Sequence, residues 1–245
     1  MRVIGIVGSP RKNGLTNRLV DEALKGAASI KDVETVKVYL IDYDIRPYTE
    51  ERKFGPEELS KLCEDSDAII LGAPVYWGDI NGLTKDFMDI VRIENANGKY
   101  ALGIAIAGGT GKGLCSGIQT LYHFFYHREM KGIDPTPISR FNFDKSLKSL
   151  YQSGRKLVKL CREEPYRFDN LRDRIEYYET LPFMNQDFID EIYMLAGQLL
   201  EISKSEKVEE ARTLYLKAGS LLNQGRRVEA VKYAVEAYDM LYFPS

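Results

Sequence analysis

Cysteine and long apolar runs are scarce in this chain of 245 residues. Cysteine occurs only at Cys63, Cys115 and Cys161, an odd number without CxxC spacing. This pattern argues against a disulfide framework and against a cluster bound by cysteines. The apolar runs fall far short of the roughly 20 residues that a membrane span requires, and the first residues lack the apolar length of a signal peptide. We therefore expect a cytoplasmic protein that does not enter a membrane.

An excess of charge of either sign is also missing. Lysine and arginine total 34 against 36 acidic residues, which gives a net charge of −2. This balance argues against a general binder of nucleic acid or of anionic membranes. The two histidines, His123 and His127, lie four residues apart, but HFFYH lacks the glutamate of the zinc-protease motif, so no metal site is predicted.

What the chain does contain is an alternation of short β-branched runs and helical patterns, which is typical of parallel βαβ units. Strands are predicted at 2–7, 35–40, 67–73, 100–107 and, with a weaker signal, 133–139. Helices are predicted at 16–29, 56–64, 82–92, 114–130 and 144–162. Five strands and five helices in alternation indicate a doubly wound parallel sheet, in which ligands bind beyond the carboxyl ends of the strands. This rule selects the loops 8–15, 74–81 and 107–113.

The pattern changes near residue 164, and we predict one domain over 1–164 and an all-α extension over 165–245. The segments EEARTLYLKAGSLLNQG and RRVEAVKYAVEAYDML indicate a helical hairpin that turns at Gly225. Both carry apolar faces, so we expect the extension to pack on the core or to form an oligomer surface.

The first selected loop lies in GSPRKNGLTNRL, which follows a predicted strand and opens a predicted helix. Five residues separate Gly8 from Gly14, and Leu15 stands where a nucleotide-triphosphate loop needs its lysine, so this loop is not predicted to hydrolyse ATP or GTP. Its polar donors are Ser9, Arg11, Asn13, Thr16 and Asn17. With the free N–H groups of a helix start, they suit a terminal monophosphate. The alternative is a polar turn whose Thr16 or Asn17 simply caps the helix.

The other two loops suit a planar ligand. In GAPVYWGDINGLTKDFMD, Pro74, Tyr76, Trp77 and Gly78 directly follow a strand, and a flat aromatic ring could lie against them. Core or interface packing of Tyr76 and Trp77 is the alternative. The third loop, AGGTGKG, misses the GxGxxG dinucleotide pattern, but its flexible backbone would suit the polar edge of a heterocycle.

These three stretches, the last followed by LYHFFYHREM, resemble the NADPH-dependent FMN reductase and iron-sulfur flavoprotein group of flavodoxin-like proteins over about residues 1–162. The resemblance implies a flavodoxin-like sheet of order 2-1-3-4-5 and an FMN cofactor. It assigns the FMN phosphate to Ser9, Arg11, Asn13, Thr16 and Asn17. It assigns the isoalloxazine and the ribityl chain to Pro74, Val75, Tyr76, Trp77 and Gly78. It assigns the pyrimidine edge of the flavin to Ala107, Gly108, Gly109 and Gly113.

One departure from the iron-sulfur members concerns their cluster. Those members carry a compact set of cysteines between the second strand and the next helix, whereas this chain has IDYDIRPYTEERKFGPEEL there, without cysteine. No iron-sulfur cluster is therefore expected, because one thiolate such as that of Cys63 cannot hold it.

The resemblance implies an FMN-dependent oxidoreductase. It would pass electrons from NAD(P)H or an electron-transfer protein to a small acceptor such as a quinone, without a catalytic acid or base of its own. A flavodoxin-like electron carrier and a flavin-bearing interaction module are the alternatives. The resemblance also implies a homo-oligomer.

Overall fold

The computed structural model describes residues 1–165 and 167–243. Within these residues the chain forms seven β-strands and nine α-helices, with a short 3-10 helix at Leu40–Asp42. The strands are β1 (Arg2–Val7), β2 (Glu34–Tyr39), β3 (Ala68–Tyr76), β4 (Asp79–Ile80), β5 (Tyr100–Ala107), β6 (Lys131–Gly132) and β7 (Ile138–Ser139). The helices of the sheet region are α1 (Leu15–Ala28), α2 (Glu57–Glu64), α3 (Gly82–Ile90), α4 (Leu114–His127) and α5 (Phe143–Glu163). These bounds lie close to the predicted ones.

The main path through the sheet has the order β2-β1-β3-β5-β6, and neighbouring strands along it run parallel. The predicted order 2-1-3-4-5 is thereby confirmed. In the centre, Ile4 of β1 aligns with Val36 of β2 and with Ile69 of β3. Helices cover both faces of β1, β3 and β5, and this is why these strands are near-continuous apolar runs rather than alternating ones.

The number of strands differs from the prediction of five. The described residues form seven, because β6 and β7 replace the predicted fifth strand and β4 is added. Both β6 and β7 pair parallel with β5, β6 at Tyr100 and β7 at Ile106. Pro135 and Pro137 lie between them, and proline lacks the N–H group that a continuous ladder needs. Strand β4 is a two-residue antiparallel partner for the end of β3.

Two apolar layers flank the sheet. On one face, Leu19 of α1 and Leu157 of α5 pack against β1 and β5, and full burial of such a side chain contributes about 1.5–3 kcal/mol. The two helices touch closely: a Cβ on Gly26 would lie 1.9 Å from the carbonyl oxygen of Tyr151, and one on Gly154 would lie 1.9 Å from that of Ala23. On the other face, α2, α3 and α4 cover the sheet.

The C-terminal part is helical, as predicted. Its helices are α6 (Leu171–Glu179), α7 (Phe188–Ile202), α8 (Val208–Asn223) and α9 (Arg227–Tyr242). Helix α6 packs on the sheet region, where the Tyr178 hydroxyl donates to the Met130 carbonyl at 2.7 Å. Helices α7, α8 and α9 form a cluster of their own that includes Phe141. The turn between α8 and α9 contains Gly225 at φ +73°. Division of the chain into two domains at residue 164 stays a prediction.

Across the part of the chain that the structure describes, no helix combines the length and the apolar character needed to cross a bilayer.

Candidate functional site

The first loop, residues 8–14, is fixed at its start by its neighbours in the sheet. The Gly8 N–H donates to the Gly72 carbonyl at 2.7 Å, and the Gly8 carbonyl accepts from the Asn81 side-chain amide at 2.9 Å. The Thr84 hydroxyl donates to the Asn81 side-chain oxygen at 2.7 Å. A Cβ on Gly8 would lie 2.0 Å from that hydroxyl oxygen, so only glycine allows this close approach.

The rest of this loop leads into the N-terminus of α1. The Gly14 N–H donates to the Arg11 carbonyl at 3.1 Å, and the Arg11 N–H donates to Ser9 Oγ at 3.1 Å. Gly14 precedes the helix and has no side chain with which to cap it. Ser9 and Thr16 are buried, whereas Arg11 is exposed. Uncapped N–H groups, buried hydroxyls and an exposed guanidinium together form an environment that favours an anion.

The second loop is a tight hairpin between β3 and β4. Tyr76 pairs with Asp79, so Trp77 and Gly78 form a two-residue turn, with φ values of +53° and +93°. Two positive φ values are typical of a type I′ hairpin, but tryptophan is uncommon in that conformation. Trp77 is fully exposed and Tyr76 half-exposed. At the base of the hairpin, the Thr120 hydroxyl of α4 donates to the Asp79 carboxylate at 2.8 Å.

The third loop, residues 108–113, joins β5 to α4. Gly109, Gly111 and Gly113 adopt φ values of +46°, +80° and +87°, which favour glycine. A Cβ on Gly108 would meet open space, whereas one on Gly113 would lie 2.5 Å from the Gly78 Cα. The second and third loops therefore touch through their backbones.

Helices far along the chain hold this third loop. The buried carboxylate of Glu191 in α7 accepts from the Gly113 N–H and from the Cys115 N–H, both at 2.9 Å. From α9, the Tyr238 hydroxyl donates to the Thr110 carbonyl at 2.7 Å. Neither Glu191 nor Tyr238 was among the residues predicted from the sequence. A signal for Glu191 was present, since it precedes the buried Leu195 by four residues and so lies on the apolar face of its helix.

The three loops surround one cleft of about 810 Å³ at the carboxyl edge of the sheet. This volume is typical of a cavity that holds a small ligand or cofactor. The predicted residues that line it are Ser9, Arg11, Asn13, Thr16, Pro74, Val75, Tyr76, Trp77, Gly78, Gly108 and Gly109. The lining residues that the sequence analysis missed are Gly14, Leu15, Ile106, Thr110 and Lys112.

The structure places three of the predicted residues outside the lining of the cleft. The side-chain oxygen of Asn17 accepts from the Tyr39 hydroxyl at 3.0 Å and from the Lys37 ammonium at 3.1 Å. Ala107 is buried at the end of β5. Gly113 directly precedes α4 and donates its N–H to Glu191. Contact of these three residues with a cofactor stays a prediction.

Burial disfavours ionisation of all three cysteine thiols. Burial raises the pKa of Cys63, Cys115 and Cys161 to about 12. Because the thiolate is the metal ligand and the nucleophile, this protonation disfavours both roles at neutral pH. Among the residues that the structure describes, no group of three His, Cys, Asp or Glu side chains is placed to hold a metal ion.

A doubly wound parallel sheet of this order, with an anion-type loop after its first strand, defines a flavodoxin-like protein. Residues 1–138 match the family described as NADPH-dependent FMN reductase. Since this match spans more than half of the sequence, the chain belongs to that family, whose members are oxidoreductases.

Individual proteins are also similar to this chain. The chain is 33% identical to an iron-sulfur flavoprotein of Methanocaldococcus jannaschii, over 56% of this chain and 79% of the relative. An NADH:FMN oxidoreductase in its apo form is similar in structure, with a TM-score of 0.54, 20% identity and coverage of 71% of this chain and 93% of that one. An NAD(P)H:quinone oxidoreductase from Methanothermobacter marburgensis has a TM-score of 0.52 at 15% identity, over 64% of this chain and 96% of that one. The two structures show the likeness of the fold.

Proposed function

We propose that this chain is an FMN-binding oxidoreductase that uses the cleft between the three loops. The observation that carries the proposal is the convergence of an anion-type loop, an exposed aromatic hairpin and an open glycine loop on one cavity. The family assignment supports FMN as the ligand.

The phosphate of FMN fits the first loop. Ser9 and Thr16 supply buried hydroxyls, Arg11 supplies positive charge, and the start of α1 supplies N–H groups. A phosphate monoester carries about 1.5 to 2 negative charges at neutral pH and accepts several hydrogen bonds, so each of these groups would stabilise it.

The ring of FMN fits the other end of the cleft. Tyr76 and Trp77 offer aromatic surface, and Gly108 leaves open space because a Cβ there would meet no atom within 4 Å. These features would orient a flat ring and let it approach the backbone closely.

Bound FMN would supply hydride and electron transfer, so the residues of the chain need only bind and orient it. We propose NAD(P)H or an electron-transfer protein as the donor and a small molecule such as a quinone as the acceptor. The family description favours a nicotinamide donor, and the fold likeness to an NAD(P)H:quinone oxidoreductase makes a quinone the first acceptor to test.

We also propose that no iron-sulfur cluster accompanies the flavin. A [4Fe-4S] cluster takes four thiolates, whereas the chain has three cysteines, and these lie on the different helices α2, α4 and α5. Iron determination on protein purified without oxygen tests this, and stoichiometric iron would overturn it.

A homo-oligomer is a further part of the proposal. Leu195, Tyr238 and Leu241 of the extension are buried within the chain, but Val228 and Val231 of α9 are exposed on one side of that helix. A contiguous apolar surface patch marks an interaction site when it exceeds roughly a few hundred Å². Analytical ultracentrifugation tests the assembly, and a monomer at micromolar concentration would contradict it.

The central test is an absorbance spectrum of the purified protein, followed by titration with FMN and riboflavin. We expect flavin bands, stoichiometric FMN, and oxidation of NADPH or NADH that depends on an added quinone. Colourless protein that takes up no FMN would refute the proposal. Bound FMN without steady-state turnover of either nicotinamide would favour the electron carrier, and rapid exchange of FMN during turnover would show that FMN is a substrate.

A further inference from the structure

We infer that Glu191 of α7 is a positioning residue for the third loop, so that the C-terminal helices complete the ring end of the cleft. This inference rests on the proposed binding of FMN in that cleft. It assigns to helices α7 to α9 a role in holding the cofactor, although no residue between 187 and 243 lines the cleft.

The contacts of Glu191 are specific. Both carboxylate oxygens are used, Oε1 by the Gly113 N–H and Oε2 by the Cys115 N–H, each at 2.9 Å. The side chain is buried, with 6% exposure, and its partners lie 78 and 76 residues earlier in the chain. A carboxylate at the start of α4 also interacts favourably with the dipole of that helix.

Two further contacts from the same helices act on the same loop. The side chain of Leu195 lies beneath Gly111, so close that a Cβ on Gly111 would lie 2.7 Å from Leu195 Cδ2. The Tyr238 hydroxyl of α9 donates to the Thr110 carbonyl at 2.7 Å. Residues 110, 111, 113 and 115 are thus each held by the extension.

The loop needs such support because of its composition. AGGTGKG contains four glycines, and glycine loses more conformational freedom on ordering than any other residue. A loop that samples many conformations binds a rigid ligand more weakly, since binding must then order it. Contacts that order the loop beforehand therefore raise affinity for the ring without touching the ligand.

The position of Gly113 extends this effect to the second loop. Its Cα approaches the backbone of Gly78 so closely that even a methyl group would not fit between them. Glu191 fixes Gly113 through its N–H group, and the tip of the Trp77 hairpin rests against Gly113. Loss of the Glu191 contact should therefore loosen both loops at the ring end.

The matched pair of variants is Glu191→Gln and Asp190→Asn. Asp190 is the neighbouring carboxylate on α7, but it accepts from Arg227 at 2.7 Å and from the Asp187 N–H at 3.0 Å, so its contacts stay within the extension. Both variants remove one negative charge from α7, and only Glu191→Gln changes a contact to the loop. Tyr238→Phe is another variant that changes a contact to the third loop, because it removes only the hydroxyl that donates to the Thr110 carbonyl.

We expect Glu191→Gln to weaken binding of FMN and of riboflavin by about tenfold each, because a charged hydrogen bond to the third loop is lost. The two losses should be equal, because the first loop is unchanged. Tyr238→Phe should weaken binding of both flavins by about threefold, as suits a neutral hydrogen bond. Asp190→Asn should stay within about twofold of the unsubstituted protein.

Two further measurements separate positioning from general stability. Amide hydrogen exchange in flavin-free protein should become faster at Gly113 and Cys115 in Glu191→Gln and stay unchanged in Asp190→Asn. The midpoint potential of bound FMN should rise more in Glu191→Gln than in Asp190→Asn, because reduction adds negative charge to the flavin and only Glu191 contacts a loop that borders the cleft.

Unchanged flavin affinity in Glu191→Gln would overturn the inference, as would an equal loss in Asp190→Asn. If the unsubstituted protein binds no flavin, the proposed function fails and the role of Glu191 toward the ring fails with it. Normal FMN binding by the unsubstituted protein with no effect of Glu191→Gln would refute the inference alone.

Discussion

The first and third loops border the same cleft, but different parts of the chain hold them. The first loop is fixed by Gly72, Asn81 and Thr84, all within the sheet region. The third loop is fixed by Glu191 of α7 and Tyr238 of α9. One end of the cleft therefore depends on the sheet alone, and the other depends on the C-terminal helices as well.

With FMN bound as proposed, this difference predicts that the two ends of the flavin can be altered separately. Changes near Gly8 should affect the phosphate end, and changes in α7 or α9 should affect the ring end. The comparison of FMN with riboflavin distinguishes these cases, because the two ligands differ only in the phosphate.

Deletion of residues 187–245 should have the largest effect. It removes the contacts of Glu191, Leu195 and Tyr238 and uncovers Phe141, whose burial alone contributes about 1.5–3 kcal/mol. The shortened protein retains Phe168 and Tyr178, which belong to the core of the sheet region. We expect lower solubility and at least about a hundredfold loss of affinity for both flavins, since two charged hydrogen bonds are lost. Isothermal titration of FMN and riboflavin measures this.

The ratio of FMN affinity to riboflavin affinity in the shortened protein tests whether the first loop is independent of the C-terminal helices. This ratio should equal that of the full chain, because the first loop keeps its partners Gly72 and Asn81. A shortened protein that no longer prefers FMN would show that the first loop also depends on the extension.

Gly8→Ala should have the next largest effect, through the sheet region. The new methyl group would lie 2.0 Å from Thr84 Oγ1 and 2.8 Å from the Gly72 carbonyl oxygen. We expect the free energy of unfolding to fall by about 3 kcal/mol, at the upper end for an overpacked core site. Gly108→Ala is the control, because its methyl group would meet open space. Urea denaturation checks both, and equal stability of the two variants would contradict the close approach at Gly8.

Arg11→Ala should weaken FMN by about 1.5–3 kcal/mol and leave riboflavin nearly unchanged, because it removes a charged phosphate contact. Thr16→Ala should act in the same direction with a smaller effect, because its hydroxyl is neutral. Lys12→Ala is the matched control, since Lys12 does not line the cleft and pairs with Asp42 at 2.5 Å. An equal loss for both flavins in Arg11→Ala would place the phosphate elsewhere.

The smallest expected effect concerns Cys115 at the start of α4. Burial raises the pKa of its thiol to about 12, so near pH 8 the thiol stays protonated and should react slowly with iodoacetamide. The unfolded chain should react faster, because an unperturbed thiol has a pKa of about 8.5. Glu191→Gln should modestly speed the labelling of Cys115 in the folded protein, because the hydrogen bond of the Cys115 N–H is weakened. Mass spectrometry measures the labelling, and rapid labelling of native protein would show that the contact is often open.

Much of the architecture was predictable because the signals are local. The buried runs VIGIV and YALGIAIA, and the amphipathic patterns between them, indicate central parallel strands and covering helices from side-chain period alone. Pro135 and Pro137 could have indicated that the fifth strand is interrupted. The two residues of β4 carry no such pattern, because so short a strand depends on the hairpin at Trp77 rather than on its own sequence.

The candidate site residues differ in the same respect: some can be predicted from local sequence, and others depend on packing. Ser9, Arg11 and Thr16 follow a strand within a few residues, so sequence order and the topology rule suffice to bring them to the cleft. Thr110 and Lys112 lie in a loop that the same rule selects, so they could also have been predicted. The sequence does not show that Asn17, unlike Ser9, Arg11 and Thr16, lies outside the lining of the cleft. Its contacts with Lys37 and Tyr39 depend on how β2 lies beside α1.

The doubly wound sheet, the three loops at its carboxyl edge and the helices of the C-terminal part could be predicted from the amino-acid sequence, because hydrophobic period and glycine placement act over a few neighbouring residues. The contacts of Glu191 and Tyr238 with the third loop could not be predicted in this way. Such contacts join residues more than 70 positions apart, and they depend on the direction in which α7 and α9 pack. A buried carboxylate on an apolar helix face shows that a partner must exist, but the packing alone selects the Gly113 and Cys115 N–H groups as that partner.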